Sequence, residues 1–271
     1  MPKRNEPQAA PGPAAQGWKL ARWVVFKPSR AAEALQNWTD RVPAALTIYL
    51  AYLAMSVVFY SWKPVDFPAV SDAPLPFANT PMPQGPIFWA RVQAWNPLLT
   101  GMLVYFLAWF TSILKGGKLA GRIFMAAVIW VLPVVAILLW SGKTFPSWAV
   151  IVVWAVVLVP TAVYARRRDV DSWMALAGFG LSIMAVNIAL CPLFVLAVAT
   201  RSDSLYTGLE LLMLGWTLAV GSSIVGQLEE LPTARAFVAI FFAMIAQIAA
   251  VISLFVAGIV SKEILKALMS V

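Results

Sequence analysis

The chain is predicted to be all-α, a polytopic transmembrane helix bundle of about seven spans with its N-terminus inside and its C-terminus outside. Three observations predict this. Apolar stretches about one bilayer long recur seven times; 61% of the residues are hydrophobic and only 12% charged, with mean hydropathy +0.80; and the Lys and Arg of successive loops fall on alternate sides. A helix needs roughly 20 apolar residues to cross ~30 Å of hydrocarbon. Seven such helices use most of the 271 residues, which leaves no room for a separate soluble domain.

Residues 1–17 are rich in Pro and Ala and lack an apolar signal region, so a disordered tail with no cleavable signal is expected. Residues 18–42 form an interfacial amphipathic segment. Trp18 to Phe26 is too short to span and mixes cations with Trp and Phe, Pro28 interrupts it, and Ser29 can cap a second short helix to Trp38. The membrane domain, residues 43–260, opens with span one, Pro43 to Ser61. A loop with seven prolines follows and should be extended. Ile87 to Trp95 leads into span two (Asn96 to Leu114). Span three is Ile123 to Trp140, span four Trp148 to Ala165, span five Trp173 to Ala199, span six Leu205 to Gly226 and span seven Ala236 to Val260. Residues 261–271 are a short charged tail. Trp62, Trp95, Trp140, Trp148 and Trp173 fall at the boundaries, as an aromatic belt requires.

Fourteen of the twenty Lys and Arg fall in the N-terminal segment and in the loops after spans two, four and six, against six on the other side. This places the N-terminus inside. Merging spans three and four would send Arg166, Arg167 and Arg168 outside. The net charge of +8 and pI of 9.8 would suggest nucleic acid in a soluble protein. Here the expected partners are the bilayer and anionic lipid head groups, with no nucleic acid. The candidate membrane-surface residues are Lys19, Arg22, Trp23, Lys27 and Arg30, and the polar face with Glu33 and Gln36 is offered to a cytoplasmic protein partner.

The absence of histidine removes His-ligated haem, His-containing zinc sites and every His-based nucleophile pair. One cysteine, Cys191, excludes an intramolecular disulfide. No phosphate-binding, zinc-protease or serine-hydrolase motif is present, and Gly178 with Gly180 reads as a helix-packing pair. No catalytic, cofactor-binding or metal-ligating residue is assigned, and no cofactor is expected.

Span seven carries small residues at Ala236, Ala239, Ala243, Ala246, Ala250, Ser253 and Ala257, and span six at Gly208, Gly215, Ala219, Ser222 and Gly226. Small residues let two helix backbones approach within lipid. The expected closest pair is therefore spans six and seven, meeting through Gly215, Ala219, Ser222, Ala239, Ala243 and Ala246, with Gln247 bonding across the seam. Two polar residues are placed inside spans: Asn187 in the middle of span five, and Glu210 in the first turns of span six. Pro192 should kink span five, since it cannot donate to the Ile188 carbonyl.

Several segments in order resemble the Yip family, whose members carry the Ypt/Rab-interacting-protein domain, and its bacterial members in particular. Residues 26–35 (FKPSRAAEAL) are similar to the helix before that family's first span. Lys115-Gly116-Gly117-Lys118 with Pro133 is similar to its Gly-Gly-Lys turn and following span. Gly215-Trp216 to Gly226, with Glu229, Glu230, Arg235 and Ala236, is similar to its closing pair. The resemblance implies a core of five spans with the N-terminus inside; this chain carries an extra pair around Trp148 to Ala199. It also implies a bacterial cytoplasmic membrane location and no catalytic residues. The cytosolic signature segments of the eukaryotic members, which contact prenylated GTPases, are not seen. The expected function is a non-enzymatic, Yip-like scaffold that organises membrane or binds partners. The alternative is a small-solute transporter or channel using the kinked fifth span.

Overall fold

The computed structural model describes residues 12–64, 66–68, 83, 85–115, 119–166 and 168–269. Among them there are twelve helices and no strand. Two short helices, α1 (Pro13–Phe26) and α2 (Pro28–Asn37), precede α3 (Arg41–Trp62). Then come α4 (Pro86–Gln93), α5 (Asn96–Leu114), α6 (Leu119–Ser141) and α7 (Ser147–Ala165). α8 (Val170–Ser182), α9 (Ala185–Ala199), α10 (Asp203–Leu228), α11 (Thr233–Val256) and α12 (Lys262–Met269) complete the chain. Local chemistry sets many of the starts. Proline opens α1, α2 and α4 from the first turn, where its missing N–H is no loss. Asp169 caps α8 and Ser202 caps α10 through side-chain oxygens.

Among the described residues, five helical segments are long and apolar enough to cross a membrane: Arg41–Trp62, Pro86–Leu114, Val170–Ala199, Asp203–Leu228 and Thr233–Val256. The chain is thus an all-helical integral membrane protein. Between the second and third of these segments, α6 and α7 form a hairpin whose described apolar stretches, Val131–Ser141 and Ser147–Val159, are shorter. The hairpin lies along α5 and α11. Trp140 meets Phe255 edge-on at 6.3 Å, the Trp154 indole donates to Ser253 Oγ at 2.6 Å, and the Tyr105 and Thr161 hydroxyls are 2.6 Å apart.

Polar contacts gather at two ends of the bundle. At one, which we term the proximal end, Arg168 pairs with Glu229 and donates to the Ala108 carbonyl, and Lys115 lies 3.7 Å from Glu229. Arg235 donates to the Leu114 carbonyl, and Arg41 joins the last carbonyls of α2 to Asp171. At the opposite, distal end, Lys63 meets Tyr206, Asp66 lies 3.7 Å from Arg201, and α4 packs on α12 through Trp89, Val92 and Ala267.

Four expectations are corrected. Helix α1 begins at Pro13, so ordered structure reaches into the supposed tail; residues 1–11 lie outside the described residues. The α1–α2 pair does not simply lie on the membrane surface, because its apolar faces are docked on the bundle. Leu20, Val24, Ala31, Ala32 and Leu35 are buried, and the Gly17 backbone approaches α3 so closely that a Cβ would lie 2.8 Å from the Ala44 carbonyl oxygen. Span five is not one continuous helix but is interrupted at Ile183–Met184, where Val186 N–H bonds back only three residues to Ile183, and Pro192 lies inside α9. Finally, α11 ends at Val256, because Gly258 takes φ +75° and closes the helix. Gly116, Gly117 and Lys118 of the expected glycine turn, Arg167, and most of the proline-rich loop lie outside the described residues.

The predicted helix seam is also revised. α11 runs antiparallel to α5 along its length, with Arg235 at Leu114, Phe242 stacked on Phe110 at 5.5 Å, and Gln247 Nε2 donating to the Leu99 carbonyl at 3.1 Å. Ala239, Ala243 and Ala246 are fully buried, and α10 meets α11 toward their shared turn, where Gly221 faces Ile240 and Gly226 faces Ala236. Ser222 is buried there. Gly208 and Gly215 have no neighbour, and Ala219 is exposed. Small residues lower the cost of a close approach but supply little contact of their own. The aromatic face of α5 offers α11 more surface than α10 does, and α10 shares its packing among α11, α2 and α9.

Candidate functional site

A polar crevice opens at the distal end between α3, α9 and α10. One face of each helix lines it. Tyr52, Ser56, Phe59 and Tyr60 come from α3; Asn187, Cys191 and Phe194 from α9; and Tyr206, Glu210 and Met213 from α10. The spacings are those of a single helix face, three, four or seven residues apart. The cavity measures about 60 Å³. From Lys63 at the mouth to Tyr52 is about 16 Å of helix, roughly half the hydrocarbon thickness. Both predicted intramembrane polar residues, Asn187 and Glu210, thus line the same site.

The mouth is built around a cation. Lys63 Nζ donates to Tyr206 Oη at 3.1 Å and lies 4.7 Å from the centre of the Tyr206 ring and 5.6 Å from that of Tyr60. Both rings are held in place. Tyr60 stacks on Trp89 at 4.7 Å, and Tyr206 sits between Phe67 and Phe194, edge-on to each at 5.3 and 5.2 Å. Burial pushes the Lys63 ammonium down from its usual 10.5 to about 8, while the Glu210 carboxylate pulls it back up. The sequence reading missed the α3 wall. Its signal was legible: Tyr52, Ser56, Tyr60 and Lys63 form a polar stripe at helical spacing in an otherwise apolar span.

Asn187 and Met213 also border a second cavity of about 230 Å³, mostly apolar, enclosed by α5, α10, α11 and the α8–α9 junction. Asn96, Thr100 and Gln247 line its distal part.

The proximal end presents the predicted membrane-surface residues. Lys19, Arg22, Lys27 and Arg30 are exposed, together with Trp18 and Phe26. Trp23 is half-buried against Trp38 at 5.6 Å, and Lys19 Nζ lies 4.8 Å over its ring. Glu33 is exposed, but Gln36 is spent within the chain: it donates to the Gln227 carbonyl, and Gln227 in turn donates to Ser29 Oγ at 3.0 Å. Among the described residues no three His, Cys, Asp or Glu side chains lie together as a metal site.

No family model matches the chain, and neither a curated protein nor a solved structure matches it.

Proposed function

We propose that this chain is a non-enzymatic, Yip-like protein of the bacterial cytoplasmic membrane that organises the membrane or a protein partner through its docked N-terminal helices. It would have seven spans, with the N-terminus cytoplasmic and the C-terminus outside. The contacts of α6 and α7 with α5 and α11 along their length favour their spanning with the rest. The basic segments meeting at the proximal end favour the orientation.

The observation that carries the function is the amphipathic clasp of α1 and α2. Its apolar side is fixed to the bundle, so its cations and aromatic rings are held toward an anionic surface at no further cost in folding. Each basic residue near such a surface contributes about 1 kcal/mol, screened beyond a Debye length. The test compares thermal unfolding of the full chain in nanodiscs of anionic and neutral lipid. Anionic lipid should raise the midpoint, high salt should shrink the gain, and the combined Lys19→Gln, Arg22→Gln, Lys27→Gln, Arg30→Gln variant should lose it. Equal midpoints in both lipids for the unaltered protein would remove this reading.

A second reading, small-solute binding coupled to transport, is favoured by the meeting of Asn187 and Glu210 in one crevice of a bundle whose fifth span is broken nearby.

A further inference from the structure

The distal crevice carries chemistry that a scaffold does not need. Two tyrosine rings, each braced by other aromatics, turn toward one point. A carboxylate, Glu210, stands one helical turn beyond Tyr206 on the same face. An aromatic box with an acidic wall attracts a cation through the negative faces of the rings. In this structure a cation already occupies it, the chain's own Lys63 ammonium.

We propose that the mouth of the crevice is a binding site for a small alkylammonium group, and that Lys63 occupies it when the ligand is absent. This rests on the solute-binding reading but requires no transport. The carboxylate and the ring faces disfavour an anion at this point. A hydrated metal ion would gain little from the rings, whereas methyl or methylene groups on nitrogen match them. Deeper in the crevice, Ser56 and Asn187 offer neutral hydrogen bonds to whatever the ammonium bears.

Lys63 is well placed to leave. It lies just beyond α3, with extended backbone (φ −61°, ψ 128°) before Pro64, so its side chain can swing out without unwinding the helix. Burial has also weakened its hold on a proton, so the charged side chain is not at its most stable there. A tethered competitor reduces the apparent affinity for a free ligand by the fraction of time the site is filled, and removing it restores that fraction.

The experiment titrates the full chain in nanodiscs with tetramethylammonium chloride against sodium chloride at equal ionic strength, reading binding by calorimetry. The unaltered protein should bind weakly, and Lys63→Met at least about tenfold more tightly. In the Lys63→Met background, Tyr206→Leu or Glu210→Gln should cost at least about tenfold, while Tyr206→Phe, which keeps the ring, should retain most of the affinity. Thermal midpoints without ligand verify that each variant is folded. Lys63→Met binding no tighter than the unaltered chain would overturn the proposal, as would binding indifferent to both Tyr206→Leu and Glu210→Gln. Binding as expected, with no uptake of the same ion into proteoliposomes, would sustain the proposal and remove the transport reading alone.

Discussion

Lys63 shows how one residue joins packing to chemistry. Its ammonium is drawn from water onto two tyrosine rings, which costs more than the neighbouring Glu210 returns, and its pKa falls to about 8. Between about pH 8 and its usual 10.5 the unfolded chain holds a proton at Lys63 that the folded chain does not. This residue therefore makes the fold more stable as pH rises through that window, and its full penalty is present below it. The groups facing it are Tyr60, Tyr206 and Glu210. Amine-directed labelling followed by mass spectrometry should show Lys63 reacting with a midpoint near pH 8. Glu210→Gln should move that midpoint lower, because a charge that favoured the protonated form is gone. A midpoint that stays put or rises in that variant would contradict the placement of Glu210. The Arg168–Glu229 pair obeys a different logic: both side chains are nearly buried, at 11% and 4% exposure, and such a pair is costly to break because the remaining charge has no water to turn to.

At the scale of elements, docking of α1 depends on one missing Cβ. At Gly17 an added methyl would meet the Ala44 carbonyl oxygen at 2.8 Å and Thr47 Cβ at 3.0 Å, both on α3. Gly17→Ala should therefore destabilise the clasp by about 1–3 kcal/mol through overpacking, despite alanine being the better helix former. Gly12→Ala, where no atom lies within 4 Å, serves as the control. Hydrogen exchange across α1 and α2 should quicken in the first variant and not the second; equal protection in both would mean the two helices do not hold that register. The ends of α5 were legible in the sequence, since Pro97 and a run of apolar residues bounded by Lys115 leave little choice. The packing partner of α11 was not. A small-residue stripe says that a helix can be approached closely, but not by which neighbour.

For the whole molecule, the two ends of the bundle carry different chemistry. The proximal end gathers Lys115, Arg168, Glu229 and Arg235 with the exposed cations of α1 and α2, and the distal end holds the crevice, α4 and α12. If α6 and α7 cross with the other spans, reporter fusions at residues 118, 168 and 271 should read inside, inside and outside. A fusion at 168 that reads outside would mean that α6 and α7 cross only once between them, and would reverse everything downstream of it.

Hydropathy and composition by themselves determined the fold class and nearly every helix, because in hydrocarbon each backbone polar group must be satisfied within its own segment, which makes a span a local property of the chain. Asn187 and Glu210 were also visible there, as polar groups that lipid would not accept without a reason. That they share one crevice with Tyr60, Tyr206 and Lys63 was decided only by the tertiary structure. So was the docking of α1 and α2 and the pairing of α11 with α5. These depend on which faces of separate helices meet, and helix faces in lipid choose partners by shape and contact area, not by an aversion to their surroundings that a sequence alone would reveal.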